Sequence, residues 1–548
     1  MPNLFDLSSQ REQIEVPFTD WRPDLPPFNN PGFPALENAL PGDAGLYRPA
    51  PRPIPFGANT LRDLVPGVSK GVGDLAGFRD PFDSTVYYFA MARDTTADTL
   101  HFFRFEEGPN AWIDVTPTTP PVGAFDAYAR FRTFGTSVYA SLGPSSPILT
   151  MTMGGTGPFA AVAGAPRASD MIITRGFAVA IDVIELGNPR AGTAISWSAQ
   201  SDPENWVDPI ANPITALSLL RGFTQLEGGG RLERIVPGVN GADAIIFGQT
   251  KIWRMVFIGP PAVWDFRIVA EDEGTTVPTS VVPANEAIYF YGRRGWSRFD
   301  GAQVVPIGAG KINRAFIRSD VQNGAFRFDP RPQSGLEKGM RASLAAEPFD
   351  EQLVLWSYRT EADDVFANLV TDTGDRLVTD QGEGLQVAVT SDESDTVIAV
   401  NEITGSWGNM KIGLQAIGRV ESNRTLSDTP ELIGLNNDLS IVRFAGTNLP
   451  ALFETTEATG KVNNRTTVRR VWPHTDAASC EISLLARERL ADAPSVSPPL
   501  LPEDDAGVPV NESGRYLSLR AEIPNGASWS FMQGLSVEVA DQGQGGVR

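Results

Sequence analysis

Ala287-Ile288-Tyr289-Phe290-Tyr291-Gly292-Arg293-Arg294-Gly295-Trp296-Ser297-Arg298-Phe299-Asp300-Gly301 decides how this chain is read. An apolar, aromatic run gives way to a polar turn, then to a second run that carries a tryptophan. Runs of this composition bounded by Gly and Asp predict paired strands. Gly248-Gln249-Thr250-Lys251-Ile252-Trp253-Arg254-Met255 follows the same grammar, as does the segment from Val397 to Trp407.

Further β-runs lie on either side. Thr85–Met91 and Thr99–Phe105 come first, followed by Ser137–Ala140, Phe177–Ile181, Ala244–Gly248 and Gln352–Trp356. After the first pair they recur at roughly 40–65 residues, the scale of a propeller blade with loop insertions. Radial repetition lets each sheet bury both faces and leaves short edges. About six units are countable, and an array of β-sandwiches is the rival arrangement. The expected fold is all-β. A β-propeller core covers 81–415, preceded by an extended Pro-rich arm over 1–80 and followed by a β-rich C-terminal platform domain over 416–548. Tyr516–Ile523 in that last block alternates with one apolar face.

The arm is proline-rich, as in Pro23-Asp24-Leu25-Pro26-Pro27 and Arg48-Pro49-Ala50-Pro51-Arg52-Pro53, and cannot form a core alone. It nevertheless carries Trp21, Phe28, Phe33 and Tyr47. These aromatics predict a segment lying along a folded surface, its own or a neighbour's. The four are the candidate docking residues.

The composition narrows the function classes. The 548 residues include 53 Gly and 44 Pro, which suits many strands joined by turns. A formal charge of −21 argues against gripping nucleic acid through its phosphates. An acidic wall lets DNA pass without adhesion; alternatively the charge serves only solubility. Cys480 is alone, so no internal disulfide is possible, consistent with assembly in a reducing cytoplasm. No 18-residue apolar stretch predicts a membrane span.

Little points to catalysis. His101 and His474 lack any metal-ligand spacing, and with one Cys the usual zinc sites are excluded. No Gly-x-Ser-x-Gly elbow occurs, and Gly228-Gly229-Gly230 precedes no Gly-Lys-Ser, so it reads as a turn. Ser201-Asp202-Pro203-Glu204-Asn205-Trp206 is similar to the turn box of sialidase propellers but lacks its spacing. The pair Leu369–Asp375 and Leu377–Glu383 reads as a projecting hairpin bearing Asp372, Asp375, Asp380 and Glu383. Their spacing does not fit a calcium loop. The expectation is no enzyme, no metal and no cofactor, with a glycan-binding or glycan-cleaving propeller as the alternative.

Taken in order, several segments resemble the nozzle proteins of short-tailed bacteriophages, the tail tubular B type and their tail-hub relatives. They are Asp20–Pro26 with Tyr47-Arg48-Pro49; Ile195-Ser196-Trp197-Ser198 with Asn205-Trp206; Ile258–Phe266 with Gly274 and Pro278; Gly295-Trp296 with Phe299-Asp300-Gly301; and Gly514-Arg515-Tyr516 with Trp529. The resemblance implies a virion structural protein in a homo-hexameric ring below the portal and adaptor. It implies contacts with adaptor and tail fibre or spike proteins, and a channel that double-stranded DNA traverses unbound. The ring would be assembled in the host bacterial cytoplasm, with the Asp372–Glu383 hairpin as a plausible gate.

Overall fold

The structure is a computed structural model. It describes all residues except 1–11, 72, 95, 123–127, 185–191, 315–339, 350–351, 359–363, 369–385, 391–394, 421–429, 460–464, 504 and 543–548. The chain is all-β. Its described α-helices are the short Leu61–Leu64 and Pro213–Ser218.

Seven antiparallel sheets follow one another, at 68–114, 130–161, 170–225, 232–271, 282–306, 341–410 and 414–443. They are blades 1 to 7. From blade 2 to blade 7 the first strand of each blade lies beside the first strand of the next, and blades 1 and 2 meet just before their innermost strands, where the Asp74 N–H donates to the Ala129 carbonyl. Leu414–Val420 of blade 7 returns to Ala76–Arg79 of blade 1, so the array closes into a ring. The sequence count of about six units becomes seven. The extra blade was hidden because its fourth strand, Ile54–Pro55, is supplied by the arm and pairs with Val442 and Arg443. The sequence boundary at 415 therefore falls inside the seventh blade.

The quoted stretch shows why the apolar runs do not alternate. In Ile288–Gly292, Ile288 and Phe290 enter the seam with blade 4, whereas Tyr289 and Tyr291 enter the seam with blade 6. Blade 4 repeats this: Ala244 and Ile246 face blade 3, and Ile245 and Phe247 face blade 5. Both faces are dry, so both parities of the strand are apolar. Seven buried clusters fill the seven seams.

The seam between blades 5 and 6 is built on three indoles. Trp296 and Trp356 have ring centres 4.5 Å apart, and Trp407 lies 6.0 Å from each. Trp356 Nε1 donates to the Ser280 carbonyl at 2.9 Å. This cluster continues without a break into a second body made from both ends of the chain.

In that second body two sheets face each other. Blade 6 supplies one of them by extension: Trp407–Met410 pairs with Ala39–Pro41, which pairs with Tyr47–Pro49, followed by Met532–Gln542, Arg465–Thr475 and Val508–Gly514. The other contains Ala35–Glu37, Ala451–Glu454, Tyr516–Ile523 and Glu481–Arg487. Asn38 and Asn409 lock the junction. Asn409 Oδ1 accepts from the Asn38 backbone N–H at 3.1 Å, and its Nδ2 donates to the Leu36 carbonyl at 2.8 Å. Asn38 adopts φ 54°, a left-handed conformation Asn tolerates.

Truncation of the central indole tests the seam. Trp356→Ala is expected to cost roughly 3–5 kcal/mol in urea denaturation, the range for deleting a fully buried large aromatic. A loss below about 1 kcal/mol would mean that the indole cluster does not hold blades 5 and 6 together.

Candidate functional site at the axis of the ring

Propeller sites commonly form where the innermost strands converge. Here Asp74 precedes Ala76–Arg79 of blade 1. Arg130 and Arg132 open Arg130–Phe134 of blade 2, with Tyr128 two residues earlier. Asp170 opens Asp170–Thr174, Arg234 lies within Leu232–Pro237 and Arg341 opens Arg341–Leu344. These residues come from blades 1, 2, 3, 4 and 6, and the topology brings them together.

The contacts cross the axis. The guanidinium of Arg130 lies 3.9 Å from the ring centre of Tyr128, and that of Arg341, from the far side of the ring, lies 4.6 Å from it. Arg130 Nη1 and the Tyr128 hydroxyl each donate to Asp74 Oδ1 at 2.8 Å. Arg234 Nη1 donates to Asp170 Oδ2 at 3.0 Å. Arg132 stands 3.6 Å from Asp170 and 3.9 Å from Asp74. Asp170 also accepts the N–H groups of Met171 and Ile235. Arg130, Asp170, Arg234 and Arg341 are all buried.

Burial works to raise the Asp74 carboxyl. The guanidiniums of Arg130, Arg234 and Arg132 outweigh it and hold the group at about 2. Burial, then the Asp74 charge, pushes the Tyr128 hydroxyl up to about 12. Burial pulls Arg234 and Arg341 below the ordinary arginine value. None of these groups exchanges protons near neutrality, so the cluster suits ion binding and structural bracing, not acid–base catalysis.

The expected acidic lumen is not found at this axis. Among the described residues, the innermost strands and the segments just before them place four arginines and two aspartates there, and Arg341 meets Tyr128 across it. Side-chain contacts thus cross the centre of the propeller.

The arm aromatics are also spent internally. Trp21, Phe33 and Tyr47 are buried, and Phe28 packs edge-on against Tyr516 at 5.7 Å. Phe33 touches Tyr47 at 5.3 Å, and the Tyr47 hydroxyl donates to the Trp407 carbonyl at 3.1 Å. Asp20 anchors the arm to the propeller through Lys311 at 3.0 Å. Side chains packed in this way are not free to dock a neighbour. Asp372, Asp375, Asp380 and Glu383 lie outside the described residues.

Other candidates resolve locally. His101 contacts Thr99 and Thr116, and His474 contacts Ser536. Cys480 is buried, and burial, then Glu481, pushes its thiol up to about 12. Among the described residues no His/Cys/Asp/Glu group is arranged to hold a metal ion. The Ser201–Trp206 box is a closed turn in which Trp206 Nε1 donates to the Pro203 carbonyl at 2.8 Å. Gly229 makes room for the Trp253 ring, since a Cβ there would lie 2.0 Å from it.

Sequence reading missed two features. On the outer edge of blades 3 and 4 a cavity of about 400 Å³ is lined by Trp197, Phe223, Trp264 and Phe266, with no Asp or Glu in its wall. Leu217 of its lining is exposed, as are Ile214 of the same short helix and Ile210 just before it. The second feature is Glu402, in the turn after Thr396–Asn401. Burial raises its carboxyl to about 7; Arg298 opposes the shift and Glu286 adds to it.

No protein-family model matches the sequence, and no curated protein does. Among solved structures, the chain is similar to a quinonprotein alcohol dehydrogenase-like protein from Bacteroides thetaiotaomicron at 9% identity and TM-score 0.33, over 62% of this chain and 66% of that one. It is similar to the Dos1 propeller at 8% identity and TM-score 0.29, over 50% and 67%. It is similar to a fucose-specific lectin from Aleuria aurantia at 8% identity and TM-score 0.28, over 81% and 97%. Likenesses this slight carry no argument about what the chain does.

Two substitutions probe the ionisable groups. Asp74 titrates below its ordinary 3.8, so its contribution is present above that value and is lost as pH falls through about 2. Asp74→Asn leaves the buried Arg130 without its carboxylate and should cost about 3–5 kcal/mol at neutral pH by chemical denaturation. Glu402 has the opposite sign. Its raised value means the folded chain keeps a proton that the unfolded chain releases, so stability falls as pH rises from about 4.5 to about 7. Glu402→Gln should gain about 1 kcal/mol at pH 8 after discounting for solvent screening, and nothing at pH 4. An equal gain at both pH values would rule out this titration.

Proposed function

We propose that the chain is a non-enzymatic virion component, a subunit of the nozzle ring of a short-tailed phage tail. In this reading it sits below the portal and adaptor as a homo-hexamer, meets tail fibre or spike proteins, and is assembled in the host cytoplasm. The ordered motifs described above support it. The observation that carries it is the apolar outer rim of blades 3 and 4. Ile214 is 85% exposed and Leu217 58% exposed beside an aromatic cavity, on a chain with formal charge −21. Copies that repel one another at long range need an apolar contact to associate. In this reading the DNA path runs through the centre of the ring of copies and not through the bore of any one propeller.

The experiment is negative-stain microscopy of the purified protein with and without connector particles, alongside the Ile214→Asp/Leu217→Asp double variant. The wild type should form six-fold rings on the connector, and the variant should remain a folded monomer with an unchanged circular dichroism spectrum. A wild type that never joins the connector overturns the proposal.

The aromatic cavity favours a second reading, a glycan-binding rim. With no carboxylate in its wall, it offers binding without cleavage. Saccharide-array binding lost in Phe223→Ala would support that reading instead.

A further inference from the structure

The cavity at the outer edge of blades 3 and 4 has a wall suited to one kind of guest. Trp197, Phe223, Trp264 and Phe266 supply four aromatic side chains around about 400 Å³, and the one charged residue lining it is Arg221. That charge is fixed in the wall. The Arg221 guanidinium lies 5.2 Å from the Trp206 ring centre, and its Nη1 donates to the Gly222 carbonyl. An aromatic ring with negative charge at its base fits such a hole. The ring replaces water against apolar faces, and the acid meets a positive wall that holds no carboxylate.

The chain carries a group of that description on blade 1. Asp80-Pro81-Phe82-Asp83 lies in the turn between Ala76–Arg79 and Val86–Asp94. Phe82 is 89% exposed, more than any other large apolar side chain described. Its turn is pre-organised. The Phe82 N–H donates to Asp80 Oδ1, the Asp80 N–H to the Thr85 carbonyl and the Thr85 N–H to Asp83 Oδ1, each at 2.8 Å. An aromatic side chain with two rotatable bonds on a fixed turn loses little freedom when it inserts. Blade 1 does not adjoin blades 3 and 4, and a ring this exposed fills no hole in its own chain. An isolated copy leaves both knob and hole to water.

We propose that Phe82 of one copy inserts into the aromatic cavity of the next, with Asp83 facing the positive wall. The occupant is a second copy of this chain, and the inference rests on the reading of that rim as a contact between copies. A knob and a hole at different places on one surface make a head-to-tail contact, which closes into a ring or continues as a fibre. Size sets its strength. One aromatic side chain buries about 150–250 Å². A stable pair needs roughly 1,200 Å² in total. The single contact is therefore transient, and holding each copy at both ends, as a closed ring does, makes it persist.

The test is sedimentation velocity across a concentration series, with complementation by mixing. Wild type should self-associate. Phe82→Asp removes the knob and Phe223→Asp spoils the hole, and each should weaken association about tenfold or more. An equimolar mixture of the two retains one intact knob and one intact hole, and should form pairs and nothing larger. Ile403→Asp, at an exposed apolar site in the turn after Thr396–Asn401, adds the same charge elsewhere and should associate like wild type. Phe82 is exposed on a turn, so its replacement spares the fold; Leu217→Asp takes the place of Phe223→Asp if that variant does not fold. A wild type that stays monomeric throughout, Phe82→Asp associating like wild type, or a mixture that stays monomeric overturns the inference. The nozzle reading fails separately. Six-fold rings of Phe82→Asp on connector particles overturn this inference and leave that reading standing, whereas wild type that associates through Phe82 yet joins no connector does the reverse.

Discussion

Everything in this molecule depends on closing a ring whose sheets have no outer face to give to water. A blade whose two faces are both apolar is stable only when a neighbour covers each face. Seven blades therefore stand or fall together. The last seam, between blades 7 and 1, joins Val86, Tyr88 and Phe103 to Ala416, Val420 and Ile433. It brings together parts of the chain more than 300 residues apart, so a large loop-closure cost is met there. Ile54–Pro55 completes the edge of blade 7 from the opposite end of the chain. Pro55 has no N–H to give, which suits a strand at the rim.

The same long-range logic builds the second body. Each of its two sheets joins strands of the 12–49 segment to strands of the 451–542 segment. Phe18, Phe33 and Tyr47 from the first pack on Phe453 from the second. Arg520 pairs with Glu454, and Arg487 pairs with Glu457. The arm is extended because its prolines oppose long helices and leave it short strands. It is ordered because its aromatics fall into a sandwich core that is already continuous with the Trp296–Trp356–Trp407 seam.

The sequence disclosed local rules better than global ones. Apolar runs of both parities, as in Ile288–Tyr291, announce a sheet covered on two sides, and the repeated tryptophans mark where the seams are thickest. The seventh blade was invisible because one of its strands is a two-residue piece of a proline-rich arm, and no periodicity exists over two residues. The axial cluster was illegible for a related reason. Asp74, Arg130, Asp170, Arg234 and Arg341 stand 40 or more residues apart, and only ring closure makes them neighbours. A faint signal was present: Arg130-Phe131-Arg132, Asp170-Met171-Ile172 and Arg234-Ile235-Val236 each set a charge at or near the head of an otherwise apolar strand. Charge in such a run has to meet opposite charge or a ligand. The arm aromatics were noticed, but composition does not say whether a sticky segment folds back or reaches out.

The shared sheet makes the propeller and the sandwich mechanically one object. From Val508–Gly514 at one margin to Arg341–Leu344 at the other, each strand is hydrogen-bonded to the next with no intervening loop or hinge. Torque applied to the sandwich loads these ladders directly. The innermost rung of that lever is the strand that begins at Arg341, so a twist imposed far out on the rim is delivered to the very centre of the wheel.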